Sequence, residues 1–155
     1  MRRETAQRRA QRGVATVEAA IALPILAFLM LATVELSRAF IQYTVLSDAV
    51  RNASRYAAGA ALFGTTQKVN ISTQLITETR NLVVYGNQAG TGSAQLPGLT
   101  VQQVTLTDAG DNNVLVTALY PYQPLFGSRL PSFGVGGNSP AMTFNLTIAV
   151  TMRAL

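Results

Sequence analysis

The chain has 155 residues, 48% of them hydrophobic and 12% charged, which suits one modest folded domain with an attached segment and excludes a disordered protein. It contains no Cys, His or Trp, and this excludes disulfides, thiolate and imidazole metal sites and His-dependent catalytic triads. Of the net charge of +5, residues 1–13 supply +4 through five arginines and one glutamate. The remainder carries too little positive charge to follow a phosphate backbone, so no nucleic-acid partner is expected.

Residues 1–13 are polar and basic, and they show no periodic apolar positions. This pattern predicts an unstructured basic leader peptide. Because arginines next to an apolar segment favour the cytoplasmic side of a membrane, we expect this end of the chain to be cytoplasmic.

A long apolar segment follows the leader, and residues 14–34 are interrupted only by Thr16, Glu18, Pro24 and Thr33. About 20 apolar residues in a helix cover the ~30 Å hydrocarbon core of a bilayer. We therefore predict a transmembrane helix over residues 14–37. Pro24 removes the hydrogen bond that its own nitrogen would make to Ala20, so a tolerated kink is expected there.

A cleaved secretory signal is the alternative to a retained membrane helix. Such signals have an apolar region of about 7–15 residues that ends in small residues. Here the small residues Ala19, Ala20 and Ala22 lie inside the apolar run, and a second apolar block follows at residues 25–32. This arrangement favours a helix that remains in the protein.

The helical pattern continues beyond the apolar segment. Apolar and small residues recur at spacings of four and three, and together they form a stripe of Leu36, Phe40, Tyr43, Ser47, Val50, Ser54 and Ala57. One helix is predicted over residues 14–58, with Gly59 as its stop and the stripe docked on the protein's own sheet; contact with other subunits is the alternative. Glu35 and Arg38, three residues apart, are expected to form an ion pair at the membrane interface, capping the apolar span.

The rest of the chain predicts a second helix followed by strands. Residues 66–85 have helical periodicity, and Gly86, Gly90 and Gly92 mark a loop. Two Thr- and Val-rich segments, 99–107 and 114–122, flank a turn cluster and predict a β-hairpin. The cluster contains Asp108, Asp111, Asn112 and Asn113, which could suggest calcium but lack the spacing of a calcium-binding loop.

The final strand has the clearest pattern. Over ten residues a large apolar set alternates with polar or small residues, and this set consists of Phe144, Leu146, Ile148, Val150 and Met152. Residues 121–140 hold four prolines and four glycines and predict a long loop. Tyr120, Tyr122 and Phe126 could form an adhesive surface, although edge packing is the favoured interpretation. The predicted fold class is α+β: a long helix, a second helix, and a small antiparallel sheet packed on the long helix.

With these motifs in view, the chain resembles a TadE-like minor pilin of the tight-adherence pilus, within the type IV pilin-like superfamily. The resemblance rests on the basic leader, Gly13, the four residues that precede Glu18, and a long helix with an early proline, Pro24. The sequence at residues 35–38 and the closing strand add to it.

The resemblance implies cleavage between Gly13 and Val14 by a prepilin peptidase, which makes Glu18 the fifth residue of the mature chain. It also implies that Glu18 pairs with the amino terminus of a neighbouring subunit. The alternative for Glu18 is a side chain that simply reaches water at the membrane surface. The expected partners are the peptidase, other pilin subunits, the assembly platform and the membrane.

Ala19 departs from the tyrosine that follows the glutamate in major pilins of this type, which are also much shorter. Both features favour a minor pilin that initiates or assembles a pilus for adhesion or secretion. The expected location is the bacterial inner membrane, with an extracytoplasmic pilin-like domain over residues 38–155. The alternative function is a single-pass anchored binding or sensory module. An enzyme is not expected, nor are a cofactor or a metal.

Overall fold

The computed structural model describes residues 2–62, 68–125, 127 and 143–154, with side chains from residue 13 onward. Its elements in chain order are α1 (Arg2–Ala60), α2 (Thr73–Tyr85), a 3₁₀ turn (Val101–Gln103), β1 (Val104–Gly110), β2 (Asn113–Pro121) and β3 (Asn145–Arg153). The predicted α+β class is confirmed. The chain divides into two compact units, Met1–Arg38 and Ala39–Leu155.

Helix α1 is longer than predicted at both ends. It begins at Arg2, so the segment predicted to be unstructured is helical. Arg, Gln, Glu and Ala dominate this segment and are all good helix formers, which outweighs its lack of an apolar stripe. At the other end the helix continues to Ala60, because a single exposed glycine such as Gly59 costs only about 1 kcal/mol in a helix.

Helix α2 begins at Thr73, seven residues later than predicted. Ser72 caps it: its side chain accepts a hydrogen bond of 3.1 Å from the backbone N–H of Leu75. Val69, which was assigned to the helix, instead forms an isolated β-bridge with Leu62. The predicted end is confirmed, since Gly86 takes the left-handed conformation (φ 75°) and its N–H donates to the Leu82 carbonyl at 3.0 Å.

The sheet is an antiparallel meander with the order β1-β2-β3. In the centre, Val116 pairs with Leu106 on one side and with Val150 on the other. The predicted hairpin is confirmed, and its tight turn has positive φ at Asp111 (50°) and Asn112 (60°), as a type I′ turn requires. Residues 101–103, predicted as part of the first strand, form the 3₁₀ turn.

One hydrophobic core joins the second half of α1 to α2 and the inner sheet face. α1 contributes Leu46, Val50 and several alanines, α2 contributes Leu75, Val83 and Val84, and the sheet contributes Val104, Leu106, Val114, Val116, Ala118, Tyr120 and Ile148. The alternation predicted for β3 is present, with Ile148 buried and Leu146, Val150 and Met152 partly buried. The last strand therefore faces the core with the predicted side.

The burial predicted for Phe144, at the start of that strand, is wrong. Its side chain is 47% exposed, and β3 begins one residue later, at Asn145. The ring stacks on Tyr122 with centroids 4.8 Å apart, and the Tyr122 N–H donates to the Phe144 carbonyl at 2.9 Å. Phe144 thus packs on the end of the sheet and not beneath it.

The predicted docking stripe on α1 is correct only in its second half. Val50, Ser54 and Ala57 are fully buried, but Leu36, Phe40 and Tyr43 are exposed. In that earlier part of the helix the buried positions are Gln42 and Leu46, on a different face. The periodicity located an apolar stripe correctly, and the error was to assign its whole length to one protein core.

Candidate functional site

The apolar segment of α1 is exposed in the structure. By length and composition alone, α1 from Gly13 to Ala60 is the one helix of the described residues that could cross a membrane. Large apolar side chains project from it without covering, among them Val14 (68% exposed) and Met30 (71%). Such a surface is unfavourable in water, because each fully buried side chain of this kind gains roughly 1.5–3 kcal/mol.

Glu18 lies on this apolar surface. It shares one open face of the helix with Gly13, Val14, Val17 and Ile21, and it is exposed. Among the described residues Glu18 has no hydrogen-bond or ion-pair partner. The fold therefore provides a carboxylate on an apolar face and, within the part of the chain that the structure describes, nothing that compensates its charge.

Gly13 is a glycine that the helix does not require. A side chain built at this position would meet no atom within 4 Å, and the backbone does not adopt positive φ there. Glycine inside a helix is less favourable than alanine by roughly 0.5–1 kcal/mol. Neither packing nor backbone geometry explains why Gly13 occupies this position.

Pro24 lies inside α1, which continues on both sides of it. Since proline has no N–H, the carbonyl of Ala20 loses the hydrogen bond that a regular helix would give it. The helix nevertheless accommodates the residue, and the tolerated kink expected at Pro24 stays a prediction.

Glu35 and Arg38, the predicted interface pair, occupy adjacent turns of α1. Glu35 is only 4% exposed, whereas Arg38 is half-buried. The Nε atom of Arg38 is buried and makes no hydrogen bond within the described part of the chain. The ion pair between these residues stays a prediction. The burial of Glu35 is a feature that the sequence pattern did not indicate.

The side chains of the polar cluster at the hairpin form hydrogen bonds to the backbone of the turn. Asp108 Oδ1 accepts a hydrogen bond from the Gly110 N–H at 2.8 Å. The Asn113 side chain donates to the Gly110 and Asp111 carbonyls at 3.1 and 3.2 Å. In the described ranges no three acidic, His or Cys side chains group together as metal ligands. The hairpin interpretation of this cluster is confirmed.

Two of the three aromatic residues near the prolines are packed. Tyr120 is fully buried and its hydroxyl donates to the Pro97 carbonyl at 2.9 Å. Tyr122 is also buried and stacks on Phe144. The edge-packing interpretation therefore holds for these two, while Phe126 lies outside the described residues.

A contact between the two helices was missed from the sequence. The Tyr56 hydroxyl on α1 donates a short hydrogen bond to Glu78 Oε2 on α2, and Gln74 donates to the other carboxylate oxygen at 2.8 Å. The hydrogen bond from Tyr56, and to a lesser extent the one from Gln74, holds the pKa of Glu78 below its ordinary value. The same hydrogen bond, assisted by burial, raises the pKa of Tyr56 above 10.0.

Comparison with known families gives a match over the N-terminal part of the chain. The family model described as TadE-like protein matches residues 13–55, which begin at Gly13 and include Glu18, Pro24, Glu35 and Arg38. Comparison with curated proteins and with solved structures gives no match. The resemblance to TadE-like sequences is thereby confirmed for the long helix.

Proposed function

Because residues 13–55 carry the sequence of the TadE-like protein family, we propose that this chain is a minor pilin of a tight-adherence pilus. In this proposal a prepilin peptidase removes residues 1–13, and the mature chain takes part in initiating or assembling a pilus used in adhesion or secretion. The family suggests a pilus-associated, non-enzymatic protein, and the apolar helix is consistent with a single-pass membrane anchor.

The observation that carries the proposal is the uncompensated carboxylate of Glu18. A charge in an apolar environment is unfavourable unless a partner neutralises it. Among the described residues the chain offers no such partner. The free amino group of Val14, created by cleavage, supplies one when it belongs to an adjacent subunit. On this view the pair forms only on assembly and fixes the register between subunits.

Gly13 supports the cleavage step. A peptidase binds its substrate in an extended conformation, and glycine both weakens the helix and leaves no side chain to clash with a narrow active site. The absence of any packing role for Gly13 is consistent with selection for this purpose. The location that follows is the bacterial inner membrane, with the arginines cytoplasmic and residues beyond 37 outside.

The test is the mass and N-terminal sequence of the protein recovered from its native membrane. We expect the mature chain to begin at Val14 and to lack residues 1–13. Gly13→Leu should accumulate the full-length precursor. Gly59→Leu is the matched control, because Gly59 is also exposed in α1 with no atom within 4 Å of an added side chain, and it should be processed normally.

A native chain that keeps residues 1–13 would overturn the proposed cleavage. It would favour the alternative function, a membrane-anchored binding or sensory module, because a simple anchor needs no processing.

A further inference from the structure

The first turns of α1 within the Ala39–Leu155 unit expose large apolar side chains. Phe40 is 62% exposed, Ile41 64% and Tyr43 47%, and these three residues are here called the outer apolar face. The neighbouring Gln42 and Leu46 are buried. A helix bordered by protein on one side and by water on the other has the opposite arrangement, with polar residues outside. The exposed side of this helix therefore does not have the composition of a water-facing surface.

Three hydroxyl groups along this part of α1 are satisfied within the helix. Thr33, Ser37 and Thr44 each donate to the carbonyl four residues earlier, at 2.8, 2.8 and 3.0 Å. In water such back-bonding is optional, since the solvent accepts the same proton. In lipid it is required, because no other acceptor is present. The pattern continues through Thr44, seven residues beyond the predicted end of the span.

Charged side chains are also withdrawn from this surface. Between Glu18 and Asp48 the only charged residues are Glu35 and Arg38, of which the first is buried and the second half-buried. Residues 19–47 therefore carry no fully exposed charge. They correspond to about 43 Å of helix, which exceeds the ~30 Å hydrocarbon core of a bilayer.

We infer that the outer apolar face lies in the outer leaflet of the membrane, at the boundary between acyl chains and headgroups. The inference rests on the proposed membrane anchor and extends it past residue 37. Phe40 and Ile41 contact acyl chains, while Tyr43 places its ring at the interface and its hydroxyl in water, as aromatic residues at membrane boundaries do. The folded outer unit is thus held against the lipid surface by its own first helical turns.

The two possible spans place Phe40 at different depths. If residues 14–37 cross the membrane, Phe40 lies about 22 Å along the helix from the midplane, outside the hydrocarbon. If the helix instead tilts so that Glu18 and Phe40, about 33 Å apart along it, lie at opposite edges of the ~30 Å hydrocarbon core, Phe40 lies about 15 Å from the midplane. Because the chain has no Trp, Phe40→Trp in the full chain introduces a single fluorophore that reports this depth.

The experiment uses phosphatidylcholine vesicles at a low protein-to-lipid ratio, with bromine placed near the glycerol end or near the methyl end of the acyl chains. Phe40→Trp should lose most of its emission to bromine near the glycerol end and resist quenching by aqueous iodide. Met30→Trp is the control inside the span and should be quenched by bromine near the methyl end. Leu119→Trp replaces an exposed leucine on β2 and should respond to iodide alone.

Quenching of Phe40→Trp by iodide and not by lipid, with Met30→Trp still quenched by lipid, would overturn the inference and leave the anchor intact. Protection of Phe40→Trp from both quenchers would mean that another protein surface covers the outer apolar face, which also overturns it. If neither Phe40→Trp nor Met30→Trp responds to brominated lipid, the proposed membrane anchor fails as well.

Discussion

Glu18 combines two properties that conflict in an isolated chain. It carries a carboxylate, and it lies among exposed Val and Ile side chains about 6 Å along the helix from Val14. In a medium of low dielectric constant a neighbouring ammonium group stabilises this charge far more than it would in water. The effect of Glu18 on assembly therefore depends on whether an ammonium group of another subunit lies beside it. Removing the charge tests this.

We predict that Glu18→Ala leaves membrane insertion intact, because it removes a charge from the apolar span. Cleavage after Gly13 should also continue, since the altered side chain lies more than one helical turn downstream. Incorporation into the pilus should fail, leaving a processed, membrane-resident monomer and fewer surface pili. Counting pili and immunoblotting membrane fractions measure these effects. Normal pili with Glu18→Ala as the only copy would leave Glu18 with a merely interfacial role.

The Tyr56–Glu78 hydrogen bond should make the stability of the folded protein depend on pH. Because the pKa of Glu78 is lowered in the folded state, its contribution to stability is present above the unfolded pKa near 4.5 and disappears as the pH falls through the lower folded value. The raised pKa of Tyr56 has the opposite sign: its contribution is present below about pH 10 and disappears as the pH rises further.

Tyr56→Phe should therefore lower the Tm of the full chain in detergent at neutral pH and reduce the additional loss of Tm on acidification below about pH 4.5. Tyr85→Phe serves as the control, because Tyr85 is half-buried and no hydrogen bond of its hydroxyl is observed within the described residues. An unchanged acid profile in Tyr56→Phe would mean that the hydrogen bond does not contribute to stability in solution.

Among the secondary-structure elements, β3 shows what sequence periodicity can and cannot predict about a strand. The strict alternation of residues 144–153 was enough to assign the strand and its inner face, because side chains of a strand point alternately to opposite sides. Its first residue, Phe144, was placed wrongly, since periodicity does not indicate where pairing begins. Asn145, paired with Pro121, is the first residue of the ladder.

The register of β3 gives matched substitutions. Ile148 is 7% exposed and pairs with Ala118, while Thr147 is exposed and pairs with the exposed Leu119. Ile148→Asp should destabilise the fold by at least about 3 kcal/mol, because it removes an apolar side chain from the core and buries a charge. Thr147→Asp should cost less than about 1 kcal/mol. Chemical denaturation of the full chain measures both, and equal tolerance would show that the strand faces are assigned wrongly.

The helices show where sequence reasoning fails. The start of α2 was placed seven residues early because Val69 and Ile71 extend an apolar pattern that Ser72, a good N-cap, should have ended. On α1 the stripe at Leu36, Phe40 and Tyr43 was assigned to the protein core. Periodicity shows only that one face is apolar, and a lipid bilayer satisfies such a face as well as a sheet does. The pairing of Tyr56 with Glu78 could not be predicted from the sequence, since it joins two partly buried residues 22 positions apart on different helices.

For the whole molecule, the distribution of charge predicts orientation. The five arginines of residues 1–13 precede the apolar segment, and the rest of the chain has a net charge of only +1. The positive-inside rule then predicts a cytoplasmic N-terminus and an external domain. Protease added to intact spheroplasts should degrade the domain, and a cytoplasmic marker protein should survive as the control. A protected domain in intact spheroplasts, degraded only after lysis, would reverse the proposed topology.

The order of elements in the core also has a consequence for biosynthesis. Leu46 of α1 is made first, and Ile148 of β3, which belongs to the same core cluster, is made about a hundred residues later. At ~5–20 residues per second the ribosome needs roughly 5–20 s to supply the missing strand. For that interval the buried face of α1 and one edge of β2 lack their permanent cover. A chain that stalls before β3 thus presents both an apolar helix face and an unpaired strand, and such nascent chains are expected to be substrates for chaperones or proteases.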